Sequence, residues 1–206
     1  MALFKSIKKA LENRDIAKTL KLTLKTKVLP EEITALPYLE CLYIQSDTLE
    51  EIPEWIVELK NLEILYISCE ALKEIPINIF RLPSLQVLNI TSCSIEKVIL
   101  PISPSAPIRE LNFSKNKLID FPINIHSLDY LISLNLANNK LETIPESITM
   151  IKTLKRLNVD RNKITKLPDF FKSFSGLSTL SIDGNPFPKE EIERIETEFN
   201  LWFSPL

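Results

Sequence analysis

"LNLANNKLETIP" at Leu134–Pro145 and "LNVDRNKITKLP" at Leu157–Pro168 start 23 residues apart and read as two copies of one unit. The spacing extends outward from them. An apolar residue opens each unit at Leu39, Leu62, Leu85, Ile108, Leu131, Leu154 and Leu177. Three residues on come Leu42, Leu65, Leu88, Leu111, Leu134, Leu157 and Leu180, and two further Ile44, Ile67, Ile90, Phe113, Leu136, Val159 and Ile182. A degenerate unit, about one residue short, precedes them through Leu20, Leu22, Leu24 and Leu29-Pro30. A fixed period of this length marks a stacked array in which no unit can bury its apolar face alone.

Each unit reads L-x-x-L-x-L-x-x-N-x-L-x-x-I-P-x-x-I-x-x-L-x-x. The alternation in x-L-x-L-x predicts a short strand with its leucines turned inward and the x residues outward. The I-P-x-x-I-x-x-L half has apolar residues every three positions and predicts a 3-10 or extended return. Pro30, Pro53, Pro76, Pro122, Pro145 and Pro168 open that return, where a fixed φ and a missing N–H cost nothing. The ninth position is Asn116, Asn139, Asn162 and Asn185 in the last four units, predicting a stacked amide ladder that satisfies turn backbone. Earlier units carry Asp47, Glu70 and Cys93 there. Either Cys69 takes the ladder place in its unit or the turn opens to water, so the N-terminal half should be the less regular.

On these residues the chain resembles the leucine-rich repeat family, in its 23-residue class with an I-P or L-P step. The resemblance implies an α/β fold: a solenoid with a curved parallel sheet on its concave face, 3-10 or extended turns on its convex face, and a capping helix at each end. Similar arrays occur in bacterial proteins and in animal and plant proteins, and the short, tidy repeats lean toward a bacterial source. The division is 1–15 as an N-terminal capping helix, 16–187 as about eight units, and 188–206 as a C-terminal cap, one structural domain overall. Leu3, Phe4, Ile7, Ala10 and Leu11 lie at helical spacing. "GNPFPKEEIERIETEFNLWF" resembles a closing motif of such arrays, with Ile192, Ile195, Phe199 and Trp202 on one face and Glu190 and Glu191 at the positive helix start. The chain reads as a complete domain rather than a slice of a longer receptor.

Composition narrows the function. The 206 residues carry 25 Lys and Arg against 27 Asp and Glu, so no basic field points to nucleic acid or a membrane surface. No apolar run has membrane-spanning length, and the first residues lack a signal-peptide core, so the expectation is a cytoplasmic protein, with secretion open if a leader was removed. Cys41, Cys69 and Cys93 are expected to be reduced, buried thiols, although Cys69 and Cys93 fall in neighbouring turns. His126 is the one histidine and sits in a return turn. Neither a phosphate loop nor metal-ligand spacing occurs, so no catalytic, cofactor or metal residues are named and an enzyme is not expected. The Asn89 and Asn112 sequons fall in strands and are read as chance. The Pro101, Pro104 and Pro107 stretch is read as an extended convex return.

The outward strand residues remain. The central row is Tyr43, Tyr66, Asn89, Asn112, Asn135, Asn158 and Ser181, flanked by Cys41, Ile64, Val87, Glu110, Ser133, Arg156 and Thr179. The N-terminal half is apolar and aromatic, the C-terminal half polar. Tyr43, Ile64, Tyr66, Val87, Glu110, Arg156, Asp160 and Arg161 are the candidate partner-binding residues. The expected function is recognition of a protein partner on the concave face by a monomer or weak homodimer. The alternative is a self-associating structural protein, paired through the N-terminal apolar patch or a sheet edge.

Overall fold

The structure is a computed structural model describing residues 2–174 and 176–199. Among the described residues, nine strands form one parallel sheet in chain order: β1 (Leu3–Phe4), β2 (Thr19–Leu24), β3 (Cys41–Ser46), β4 (Ile64–Cys69), β5 (Val87–Thr91), β6 (Glu110–Asn112), β7 (Ser133–Asn135), β8 (Arg156–Asn158) and β9 (Thr179–Ser181). Register follows the period: Leu42 pairs with Leu65, Leu65 with Leu88, Leu88 with Leu111, and so on to Leu180. The first unit fits with its missing residue, since Leu20 pairs with Leu42 across a step of 22. Leucines opening the units and lining the strands are buried from Leu39 to Leu157, with Phe80 and Phe113 filling the middle.

The returns begin where the prolines sit. Short 3-10 helices follow Pro30, Pro53, Pro76, Pro145 and Pro168. Each of these prolines, and Pro122, offers its carbonyl to the N–H three residues on, as Pro53 does to Ile56 at 3.1 Å. Residues 101–107 are the exception and contain no helix. That extended coil is held by its neighbours: Asn124 Nδ2 donates to the Leu100 carbonyl at 3.0 Å and Ser127 Oγ to that of Pro101 at 3.0 Å. Asn124 does so from a left-handed conformation, φ 61°, which Asn tolerates better than most residues.

The asparagine ladder is complete in the last four units. Asn139 Nδ2 donates to the Phe113 carbonyl of the preceding coil at 3.0 Å and to Leu136 of its own at 2.9 Å, while its Oδ1 accepts from Leu118 N–H at 3.0 Å. Asn116, Asn162 and Asn185 repeat the scheme. The residue before each ladder position has positive φ: Ser92, Lys115, Asn138, Arg161 and Gly184. One left-handed residue turns the next side chain inward, at about 1–2 kcal/mol for a non-glycine. In β3 and β4 the chain instead stays extended for six residues, and strand alternation brings Ser46 and Cys69 inward. Ser46 Oγ accepts from Thr48 and Leu49 N–H, and Cys69 Sγ donates to the Leu49 carbonyl at 3.2 Å. Cys69 therefore holds the ladder place, while Asp47 and Glu70 are exposed.

The ends differ in detail from the sequence reading. Leu3 and Phe4 extend the sheet as β1, pairing with Thr19 and Leu20, and the helix α1 spans only Ile7–Glu12. An uncovered edge of β2 presents unpaired backbone groups, and a strand satisfies these where a helix cannot. At the other end α2 (Lys189–Arg194) continues as a π-helical turn over Ile195–Phe199, with Ile195 fully buried and Ile192 and Phe199 packed on the core. Trp202 lies outside the described residues. Arg194 ties this cap down by pairing with Glu191 at 2.7 Å and Asp169 at 2.8 Å, beside a Lys172–Glu198 pair at 2.7 Å.

Two outcomes follow for stability. Leu134 and Leu157 are 1% exposed, so either changed to Ala should cost about 2–5 kcal/mol in a urea melt. Asn139→Ala strands the Phe113 carbonyl and Leu118 N–H and should cost about 1–3 kcal/mol, whereas exposed Lys140→Ala should be close to silent. A further outcome concerns acid. Lys172, and then Arg194, hold the Asp169 carboxyl below its usual range, and Lys172 does the same for Glu198. Burial pushes Glu191 up, but Arg194 and the Leu167 N–H outweigh it and leave it lowered. Folded values below unfolded ones contribute stability above the ordinary carboxylate range of about 4, lost as pH falls through the folded values. Below about pH 4 the closing helix should detach before the coil array melts, seen by NMR as loss of the docked Ile192 and Ile195 methyl signals while Leu134 and Leu157 keep theirs.

Candidate functional site

Strand alternation leaves every second side chain of β2–β9 on the open face of the sheet. In-register pairing then aligns one such residue per coil into rows at about 4.8 Å spacing. The central row runs Lys21, Tyr43, Tyr66, Asn89, Asn112, Asn135, Asn158, Ser181. Beside it lies the row Thr19, Cys41, Ile64, Val87, Glu110, Ser133, Arg156, Thr179.

Tyr43 and Tyr66 stack with ring centroids 4.9 Å apart and planes inclined by 17°. Stacking covers one face of each ring, so Tyr43 is half-buried and Tyr66 is 39% exposed. Burial, with small contributions from Cys41 and Tyr66, raises the Tyr43 phenol above its usual pKa. Ile64 and Val87 are half-buried beside the rings, and Cys41 is buried. The apolar half of the face is thus tighter than an exposed cluster, presenting ring edges and hydroxyls over a packed floor. All three thiols are free and buried, and burial pushes Cys93 up to about 11.

The polar half is largely occupied with itself. Arg156 reaches across Ser133 to Glu110, with Nη2 3.5 Å from the carboxylate and Nε 3.4 Å from Ser133 Oγ. Asp160 accepts from Ser181 Oγ at 2.7 Å and from Asp183 N–H at 2.8 Å, so it braces the last coil. Arg161 does not join them: it is a left-handed turn residue whose side chain lies against Gly184, where an added Cβ would come within 2.9 Å of its Cγ. Asn112, Asn135 and Asn158 each accept with Oδ1 from the N–H two residues on, at 2.9, 3.0 and 2.9 Å. Sequence reasoning missed these local turns, although Asn before a small or acidic residue two places on permits them. Asn89 is buried, and His126 is exposed on its return turn.

Among the described residues no group of three or more His, Cys, Asp or Glu could hold a metal ion, and no helix is long and apolar enough to cross a membrane. The arrangement offers a rigid, shaped surface.

A family model described as Leucine rich repeat matches residues 130–187. No curated protein matches the sequence. Among solved structures, an internalin from Listeria monocytogenes aligns over 99% of this chain and 68% of its own at 17% identity, with a TM-score of 0.63. The plant peptide hormone receptor RGFR1, in complex with RGF2, aligns over 85% of this chain at 26% identity and a TM-score of 0.59. The ectodomain of the Arabidopsis thaliana receptor kinase GASSHO1/SCHENGEN3, in complex with CASPARIAN STRIP INTEGRITY FACTOR 2, aligns over 82% at 23% identity and 0.58. The chain spans only 30% and 23% of those two plant receptor chains. The 23-residue register, the parallel sheet and these likenesses agree: the chain folds as a leucine-rich repeat solenoid, with residues 130–187 matching the family's repeats.

Proposed function

We propose that this chain is a protein-interaction module that docks a protein or peptide partner on its concave face, with the Tyr43–Tyr66 pair at the energetic centre. The observation that carries this reading is the stack itself. Two aromatic side chains already fixed against each other and against Ile64 and Val87 lose little further entropy on docking, and their hydroxyls add hydrogen bonds to apolar contact. The plant receptors of similar fold are recorded with bound partners, RGF2 and CASPARIAN STRIP INTEGRITY FACTOR 2, which supports binding as the use of such a surface. In the polar half, the Glu110–Arg156 pair would open toward an oppositely charged rim and act mainly on association rate. Three cysteines kept as thiols suit a reducing, cytoplasmic setting.

The test is capture of a partner by immobilised wild-type protein, then titration of that partner against variants. Tyr43→Ala with Tyr66→Ala should keep the wild-type circular dichroism spectrum and lose more than about 2 kcal/mol of binding, roughly 30-fold. Arg156→Ala should weaken binding less, and less still at high salt. A partner that binds the tyrosine double variant as tightly as wild type would overturn the concave reading.

A further inference from the structure

The return turns obey one rule, broken in one place. The residue after the turn proline is acidic in four units, Glu31, Glu54, Glu146 and Asp169. Negative charge belongs there, because the first N–H groups of a helical turn carry partial positive charge. In the units on either side of 101–107 the same place holds Ile77 and Ile123, 43% and 42% exposed, and the irregular coil between them carries Ile102, 85% exposed, two residues out of register. Ile99, 47% exposed, bridges Ile123 in the adjacent coil, and Ile119, 52% exposed, extends the patch. These same coils include 101–107, where the helical return is missing. A lone exposed isoleucine means little, but five over three adjacent coils mark a surface meant to be covered.

The charges beside the patch indicate what covers it. Lys73 and Glu74 of one coil and Glu96 and Lys97 of the next, four side chains, line the cleft that also holds Ile77 and Ile99, together with Lys117 of the third coil. The coils are in contact there, since Ser94 N–H donates to the Leu72 carbonyl at 2.9 Å. The four side chains are exposed and form no ion pair among the described residues. They make a two-by-two block whose sign alternates along both edges. Reflecting such a block along either edge exchanges plus for minus. A two-fold axis lying in the surface performs that reflection between two copies, so each lysine meets a glutamate and apolar centre meets apolar centre. A partner of uniform charge would meet half the block with the wrong sign.

We propose that this flank, around Ile77, Ile99 and Ile123, is a homodimer interface. It is separate from the concave face and from both sheet edges, so each protomer keeps its concave face open and the dimer is bivalent toward a concave-face partner. A footprint three coils wide, about 15 Å, lies at the small end of specific interfaces, so the dimer should be reversible.

Sedimentation equilibrium of the full chain from roughly 1 to 300 µM tests this. Wild type should show a reversible monomer–dimer equilibrium. Ile77→Glu with Ile123→Glu should weaken it at least about tenfold while leaving the thermal melt unchanged, because Glu54 and Glu146 occupy the equivalent place in folded coils. Lys73→Glu with Lys97→Glu, and Glu74→Lys with Glu96→Lys, should each be monomeric alone, and an equimolar mixture of the two should dimerise again. Wild type that stays monomeric at the highest concentration overturns the proposal. So does a dimer that survives the isoleucine and charge variants, or one abolished by Tyr43→Ala with Tyr66→Ala, which would move self-association to the concave face.

Discussion

A coil of about 23 residues closes only if the chain reverses direction just after each strand, and the reversal strips backbone groups of partners inside the core. A buried polar side chain that bonds both its own coil and the one before resolves this. Asn139, Asn162 and Asn185 do it with amides, each donating to a carbonyl of the preceding coil and to at least one of its own, and accepting from one N–H. Because the bonds cross from coil to coil, the ladder fixes register as well as closing the turn. A second, simpler ladder serves the other end of the strand, where Asn61, Ser84 and Thr153 donate to carbonyls of the preceding coil, at Pro37, Lys60 and Asp129. Leucine packing drives the stack together without choosing a register so narrowly.

The ladder also explains why the two halves of the sheet differ. Where Ser46 and Cys69 close the turn, no left-handed residue intervenes and the strands run six residues. Where asparagine closes it, a left-handed residue precedes it and the strands shorten to three. A short side chain suffices at the end of an extended strand. The longer amide follows a kinked one and reaches two coils. The longer N-terminal strands carry the stacked tyrosines, and the shorter C-terminal ones carry the polar rows whose side chains bond each other.

The middle of the array joins these halves, and it is there that the convex rule lapses. Residues 101–107 give up the helical return, and Asn124 and Ser127 of the next coil supply the bonds that replace it. The side chains of Ile77 and Ile123 contribute nothing evident to the turn, since outer coils close as well with Glu or Asp in their place. The two proposed surfaces, the concave face and this flank, are separate because each coil touches only its neighbours.

By itself the sequence determined the repeat, the inward leucines, the proline-led returns and the pairing of Tyr43 with Tyr66, because all of these depend on period and a parallel stack preserves period in space. The last four ladder asparagines were legible for the same reason. Tertiary structure alone decided what depends on neighbouring coils. Ser92, Lys115 and Arg161 adopt positive φ although nothing in their side chains favours it, since only the ladder bonds of the next residue repay the strain. Leu3 and Phe4, spaced like a helix with Ile7 and Leu11, became a strand because the edge of β2 needed hydrogen-bonding partners. Arg156 and Asp160, which read as free charges, are engaged by Glu110 and Ser181 from other coils. A periodic pattern reports which face a residue takes, whereas its bonding partners depend on residues a full turn away.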